Sequence, residues 1–128
     1  MTASAAVEVL LQSARGRWVQ PRLAWADGIS VPEHFYVEVI GTIRGFEQTE
    51  EIDAVRARAM VDQVHAWPLH RSAVRPIIEA GWDMRHNIRI ADAVYVELVR
   101  LLDAELVTSD RRLASAPRLG VSVVIPPA

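Results

Sequence analysis

The sequence contains no cysteine. That excludes disulfides, thiolate nucleophiles and cysteine-ligated zinc, and it permits life in a reducing, cytoplasmic compartment. No apolar run approaches the roughly 18 residues that a membrane-spanning helix requires, so no membrane partner is expected. The opening "MTASAAVEVLL" has no basic residue ahead of its apolar part, unlike a secretion signal. Neither GxGxxG nor GxxxxGK[ST] occurs, which removes the common phosphate-cradling loops. His34, His65, His70 and His86 show no HExxH or comparable ligand spacing and read as surface or packing residues. Trp18, Trp25, Trp67 and Trp82 are scattered and read as packing. The net charge of -2 excludes a general polycation, so any contact with a polyanion must come from a local basic patch.

What is present suits a single domain over residues 1–128, with 51% hydrophobic residues to build one core. Ser4 can cap a helix to about Ala14, built on Ala5, Val7, Leu10 and Leu11. "RGRWVQPRLAWADG" reads as a turn and a short helical piece, and "ISVP" (29–32) as a brief strand. Pro32 starts a helix to about Phe46, and Thr49 opens another to about Ala66. "WPLH" reads as a short strand, "SAVRPIIEAGWDM" as a helix, and "IRIADAVYVELVRLLD" as the clearest helix of the chain. "ELVT" and "VSVVI" are short β-branched runs and predict strands. Strands alternating with helices predict an α/β fold around a parallel sheet covered on both faces. Ligands of such sheets bind beyond the carboxyl ends of the strands.

Three acids stand in unusual company. In "ELVTSDRRLA", Asp110 falls where a buried strand ends and a helix begins. It can cap that helix through the amides of Arg112 or Leu113, hold a cation, or do both. Asp92 shares a helical face with Tyr95, Val96 and Val99, a stripe that should face the sheet. A carboxylate there needs an arginine, a backbone donor or a metal ion. Glu38 has His34, Phe35, Gly41, Thr42 and Gly45 as helical neighbours. The two glycines leave open space beside its carboxylate, at a cost of about 1 kcal/mol of helix stability each. Brought together, such acids repel by about 4 kcal/mol per pair at about 4 Å in an effective dielectric near 20. They would hold their charge with a cation, and an oxygen-only donor set favours Mg²⁺ or Mn²⁺. Arg85 and Arg89 ahead of Asp92, with Arg111 and Arg112 beside Asp110, form either a positive rim or a solvated charged face.

"PEHFYVEVIGTIR", "WDMRHNIRIADAVYVELV" and "AELVTSDRRLA", in this order and spacing, resemble the PIN-domain ribonucleases, and most of all the VapC-type toxins of bacterial toxin–antitoxin pairs. The resemblance implies a PIN-like three-layer α/β/α fold with a central parallel sheet and a Mg²⁺-dependent acidic site that cleaves RNA. Glu38, Asp92 and Asp110 match three of the family's four site acids. The resemblance also implies a homodimer in the cytoplasm and a cognate antitoxin that blocks the acidic groove. Ser4 and Thr108 are expected to support the metal shell, and Arg85, Arg111 and Arg112 to position the RNA backbone. Family members open with a strand of about five residues, a typical strand length, ending in Asp-x-Ser. Alignment on Ser4 puts Thr2 where that Asp stands, with only Met1 before it. The first strand and the fourth acid are therefore expected to be missing, and activity to be impaired.

Overall fold

Apolar residues at helical spacing alternate with short β-branched runs. In the computed structural model, which describes all of residues 1–128, they become seven helices and four strands. In chain order these are α1 (Ala3–Leu11), α2 (Ala14–Ala24), β1 (Ser30–Pro32), α3 (His34–Gln48), α4 (Ala54–Ala66), β2 (His70–Ser72), α5 (Arg75–Trp82), α6 (Ile90–Leu102), β3 (Glu105–Val107), α7 (Arg111–Ala114) and β4 (Ser122–Val124).

Several boundaries differ from the sequence expectation, each for a local reason. Ser4 does not cap α1. Thr2 holds the cap position, and Ser4 lies in the first turn with its hydroxyl turned to other partners. α1 stops at Gln12, which adopts the left-handed conformation (φ 55°). The segment expected to be a turn and a fragment is a full helix, because Ser13 caps it by accepting from the Gly16 amide at 3.0 Å. Thr49 ends α3 rather than opening α4. Glu50 at φ 61° breaks the helix, and Asp53 starts the next one by accepting from the Arg56 amide at 2.8 Å. β2 begins at His70, where "WPLH" ends.

The strands form two parallel ladders. Ser30, Val31 and Pro32 pair with His70, Arg71 and Ser72, and Glu105, Leu106 and Val107 pair with Ser122, Val123 and Val124. The class is α/β, as the alternation predicts, but the ladders are not joined into one sheet. Met1 and Thr2 lie between the ladders, the Met1 amine donating to Ser30 C=O at 3.3 Å and Thr2 N–H to Val107 C=O at 2.9 Å.

α6 spans the break by packing on both β1 and β3. Its Ala93, Tyr95, Val96 and Val99 join Phe35, Val39 and Ile43 of α3, with Val31 and Leu106, in one buried core. Each large apolar side chain there contributes about 1.5–3 kcal/mol. A smaller cluster of Ile77, Val94 and Leu98 fastens α5 to α6. No helix is long and apolar enough to cross a membrane. The elements that carry Glu38, Asp92 and Asp110 are thus bound through this shared core.

Candidate active site

A cavity of about 550 Å³ opens at the carboxyl end of β3, and Glu38, Asp92, Asp110, Thr2, Ser4 and Thr108 all line it. α3 delivers Glu38, the first turn of α6 delivers Asp92, and the β3–α7 turn delivers Asp110. The space beside Glu38 is open as the two glycines suggested: a Cβ added at Gly41 or Gly45 would meet nothing within 4 Å.

Each carboxylate has a protein partner. Asp110 caps α7, its Oδ1 accepting from the amides of Arg112 at 2.9 Å and Leu113 at 3.2 Å. Asp92 pairs with Arg89 through two bonds, Nε to Oδ2 at 3.1 Å and Nη2 to Oδ1 at 3.3 Å. Its side chain is 15% exposed and that of Arg89 is 74% exposed, so the cation sits over the acid at the surface. The Asp92 bonds, then the charges of Glu38 and Asp110, raise the Arg89 pKa further. The fields of all three acids therefore meet at this one guanidinium. Glu38 Oε1 accepts from the Tyr95 hydroxyl at 2.7 Å. Burial, and after it this bond, raises the Tyr95 pKa, so the phenol stays a neutral donor.

His34 packs beside this pair, its ring centroid 4.9 Å from that of Tyr95. Its Nε2 lies 3.0 Å from Ala91 C=O and 3.6 Å from Glu38, while its Nδ1 is buried without a partner. A carbonyl only accepts, so Nε2 carries the proton.

Beneath the acids, three hydroxyls tie the start of the chain to β3. Thr2 Oγ1 donates to Thr108 Oγ1 at 2.9 Å, and Ser4 Oγ lies 2.9 Å from Thr2 Oγ1 and 3.3 Å from Thr108 Oγ1. Ser4 Oγ accepts from the Ser109 amide at 3.1 Å, and Thr108 Oγ1 from the Asp110 amide at 3.1 Å. Ser4 and Thr108 thereby hold the backbone from which Asp110 projects. Thr2 stands in the cavity wall with a neutral hydroxyl already engaged.

The arginines divide. Arg85 and Arg112 border an adjoining depression of about 570 Å³ that shares Arg89, Asp92 and Asp110 with the first. Arg85 also lies over the Trp82 ring, 4.6 Å from its centroid. Arg111 donates to Pro126 C=O at 2.9 Å and borders neither depression. Sequence reasoning gave no role to Tyr95 and only a general one to Arg89. The available signal was an aromatic hydroxyl on an apolar helical stripe, which needs a polar partner when buried. No three acidic or imidazole groups stand close enough to form a ready cation cage. The donors are of the right kind for a hard cation, oxygen only, and Asp110 Oδ2 takes no part in the helix cap.

Short parallel strands thus lie under helices, and Glu38, Asp92 and Asp110 from three elements line one cavity at the carboxyl end of β3. The PIN domain model matches residues 3–119, and the chain belongs to that family. Among curated relatives, it is 34% identical over 116 residues to Ribonuclease VapC12 of Mycobacterium tuberculosis, covering 91% of this chain and 89% of that one. It is 30% identical over 115 residues to Ribonuclease VapC3 of the same organism, covering 89% and 83%. To Ribonuclease VapC1 it is 37% identical over 91 residues, covering 70% and 68%.

Proposed function

We propose that this chain is the toxin of a toxin–antitoxin pair and hydrolyses RNA phosphodiester bonds with a divalent cation. The observation that carries the reading is the meeting of Glu38, Asp92 and Asp110 in one cavity beside an arginine-bordered depression, in a chain similar to VapC ribonucleases. Asp92 and Asp110 would hold Mg²⁺ or Mn²⁺, with Glu38 reaching it through water or orienting the attacking water. When bound, the cation supplies a more acidic water and stabilises charge on the phosphate oxygens. Arg85 and Arg112 place the RNA backbone beside the acids. Tyr95 fixes the Glu38 carboxylate, and Ser4 and Thr108 fix the Asp110 backbone. Arg89 serves as the internal counter-ion of the acids. A cognate antitoxin covering the acidic cavity and a homodimer belong to the same reading.

A second reading is favoured by Thr2. It brings no charge and its hydroxyl is committed to Thr108. The chain is then an impaired PIN remnant that still dimerises and binds antitoxin. Mg²⁺-dependent cleavage of a panel of single-stranded RNA, structured RNA and DNA separates the two. Cleavage of RNA that is lost in Asp92→Asn supports the ribonuclease. No cleavage, with antitoxin binding intact, supports the remnant. Preferential cleavage of DNA overturns both.

A further inference from the structure

α5 ends at Trp82, and a run of turns over residues 83–89 leads into α6. The run is held from the core side. Met84 is buried in the core and Ile88 packs against it. Gly81 lies so close to α6 that an added Cβ would stand 3.3 Å from the Cβ of Ala93. On the outer side Trp82, Arg85, His86, Asn87 and Arg89 are exposed. Trp82, which the sequence suggested was a packing residue, is 57% exposed. A lone exposed apolar side chain needs no special cause. This one carries a cation. The Arg85 guanidinium lies over its ring, 4.6 Å from the centroid, and Arg85 Nη1 donates to Trp82 C=O at 3.1 Å. Arg85 is thus held at two points while remaining open to solvent.

Arg85 also borders the depression of about 570 Å³ beside the acids. Arg85, Arg89 and Arg112 line it against Asp92 and Asp110. Arg89 is engaged with Asp92, which leaves Arg85 and Arg112 to meet a ligand. Resting on the ribonuclease reading, we propose that Trp82 and Arg85 form a stacking platform for one unpaired base of the RNA, beside the phosphate that the acids address. Unpaired bases stack on guanidinium planes as well as on aromatic rings. Arg85 meets the base. Trp82 is the positioning residue, its ring holding the guanidinium by a cation–π contact. A guanidinium stacked on its face keeps its N–H edge, so Arg85 serves the neighbouring phosphate as well. The depression has the volume of a small-ligand site, which suits a single nucleotide. A base inside a duplex is already stacked and paired, so only loops, bulges, ends and single strands can use the platform.

The test is binding of a fluorescent decaribonucleotide of mixed sequence to the full chain in EDTA, where metal-dependent cleavage is silent. An abasic strand of the same length and the same strand annealed to its complement are the comparisons. The single strand should bind about tenfold tighter than the abasic one. Trp82→Ala should weaken single-strand binding about tenfold and leave abasic and duplex binding within about twofold. Arg85→Lys, which keeps the charge and loses the plane, should do the same. Trp82→Phe restores a ring and should return binding to within about threefold of the unmodified chain. Arg112→Ala removes a phosphate contact and should weaken all three ligands alike. Equal binding of single and abasic strands overturns the platform. So does an equal loss on all three ligands in Trp82→Ala, no loss on any, or no single-strand binding at millimolar RNA. Cleavage with Mg²⁺ tests the ribonuclease reading separately. No cleavage, with ring-dependent binding intact, removes that reading and supports the platform. Cleavage with an unchanged KM in Trp82→Ala keeps the reading and removes the platform.

Discussion

At the scale of single residues, Asp92 and Met1 make opposite demands on their surroundings. Asp92 leans on an arginine that is mostly in solvent, so its ion pair contributes little to stability, about 1 kcal/mol at most. Asp92→Asn should abolish RNA cleavage and shift unfolding free energy by less than about 1 kcal/mol. Paired cleavage assays and urea melts check this, and a loss of several kcal/mol would mean that Asp92 is a structural residue. The Met1 amine is buried, and burial lowers its pKa from 8.0 to about 6, so near neutral pH it is mostly uncharged. The unfolded chain binds that proton more tightly than the folded one. Stability from this group is therefore complete above pH 8 and is lost as pH falls towards 6, by up to about 3 kcal/mol for two pKa units. Below pH 6 both states carry the proton and the dependence ends. Acetylating the amine should flatten the slope between pH 6 and 8 in melts of the two forms.

At the scale of elements, glycine separates helices that tolerate change from a crossing that does not. Gly45 in α3 has open space where a Cβ would stand. Gly45→Ala should stabilise by about 0.5–1 kcal/mol through backbone entropy alone. Gly16 in α2 lies directly against the Glu8 carbonyl of α1, where any Cβ would overlap it. Gly16→Ala should push the two helices apart and destabilise by about 1–3 kcal/mol. Thermal melts of the pair decide it, and equal effects would disprove the close crossing. The α3 glycines were legible in sequence as space beside Glu38. The role of Gly16 was not, because nothing local announces which helix will lie across it.

At the scale of the whole molecule, the site depends on whether the segments that meet there bring enough charge. Thr2→Asp places a fourth carboxylate in the cavity wall, and the Thr108 and Ser4 hydroxyls can turn to donate to it, so the local bonds survive. It should raise Mg²⁺ affinity about tenfold or more, since a carboxylate is a far better ligand for a hard cation than a hydroxyl. RNA cleavage should rise with it. Metal titration and cleavage assays on both forms check this, and no gain in either would show that Thr2 does not stand at the fourth acid's place.

The sequence by itself determined the class of fold, the clearest helix, the strand before Asp110 and the three acids worth watching. These are local signals: β-branched runs, helical spacing, and charges set among apolar residues. Tertiary structure decided what those acids touch. Arg89 over Asp92 and the Asp110 cap are within a few residues and were open to sequence reasoning. The Tyr95–Glu38 bond and the bonds from Thr2 and Ser4 to Thr108 join residues 57 to 106 positions apart. Which side chains meet across such distances is set by how helices and strands pack around one core, and that depends on every packed residue at once rather than on any short stretch.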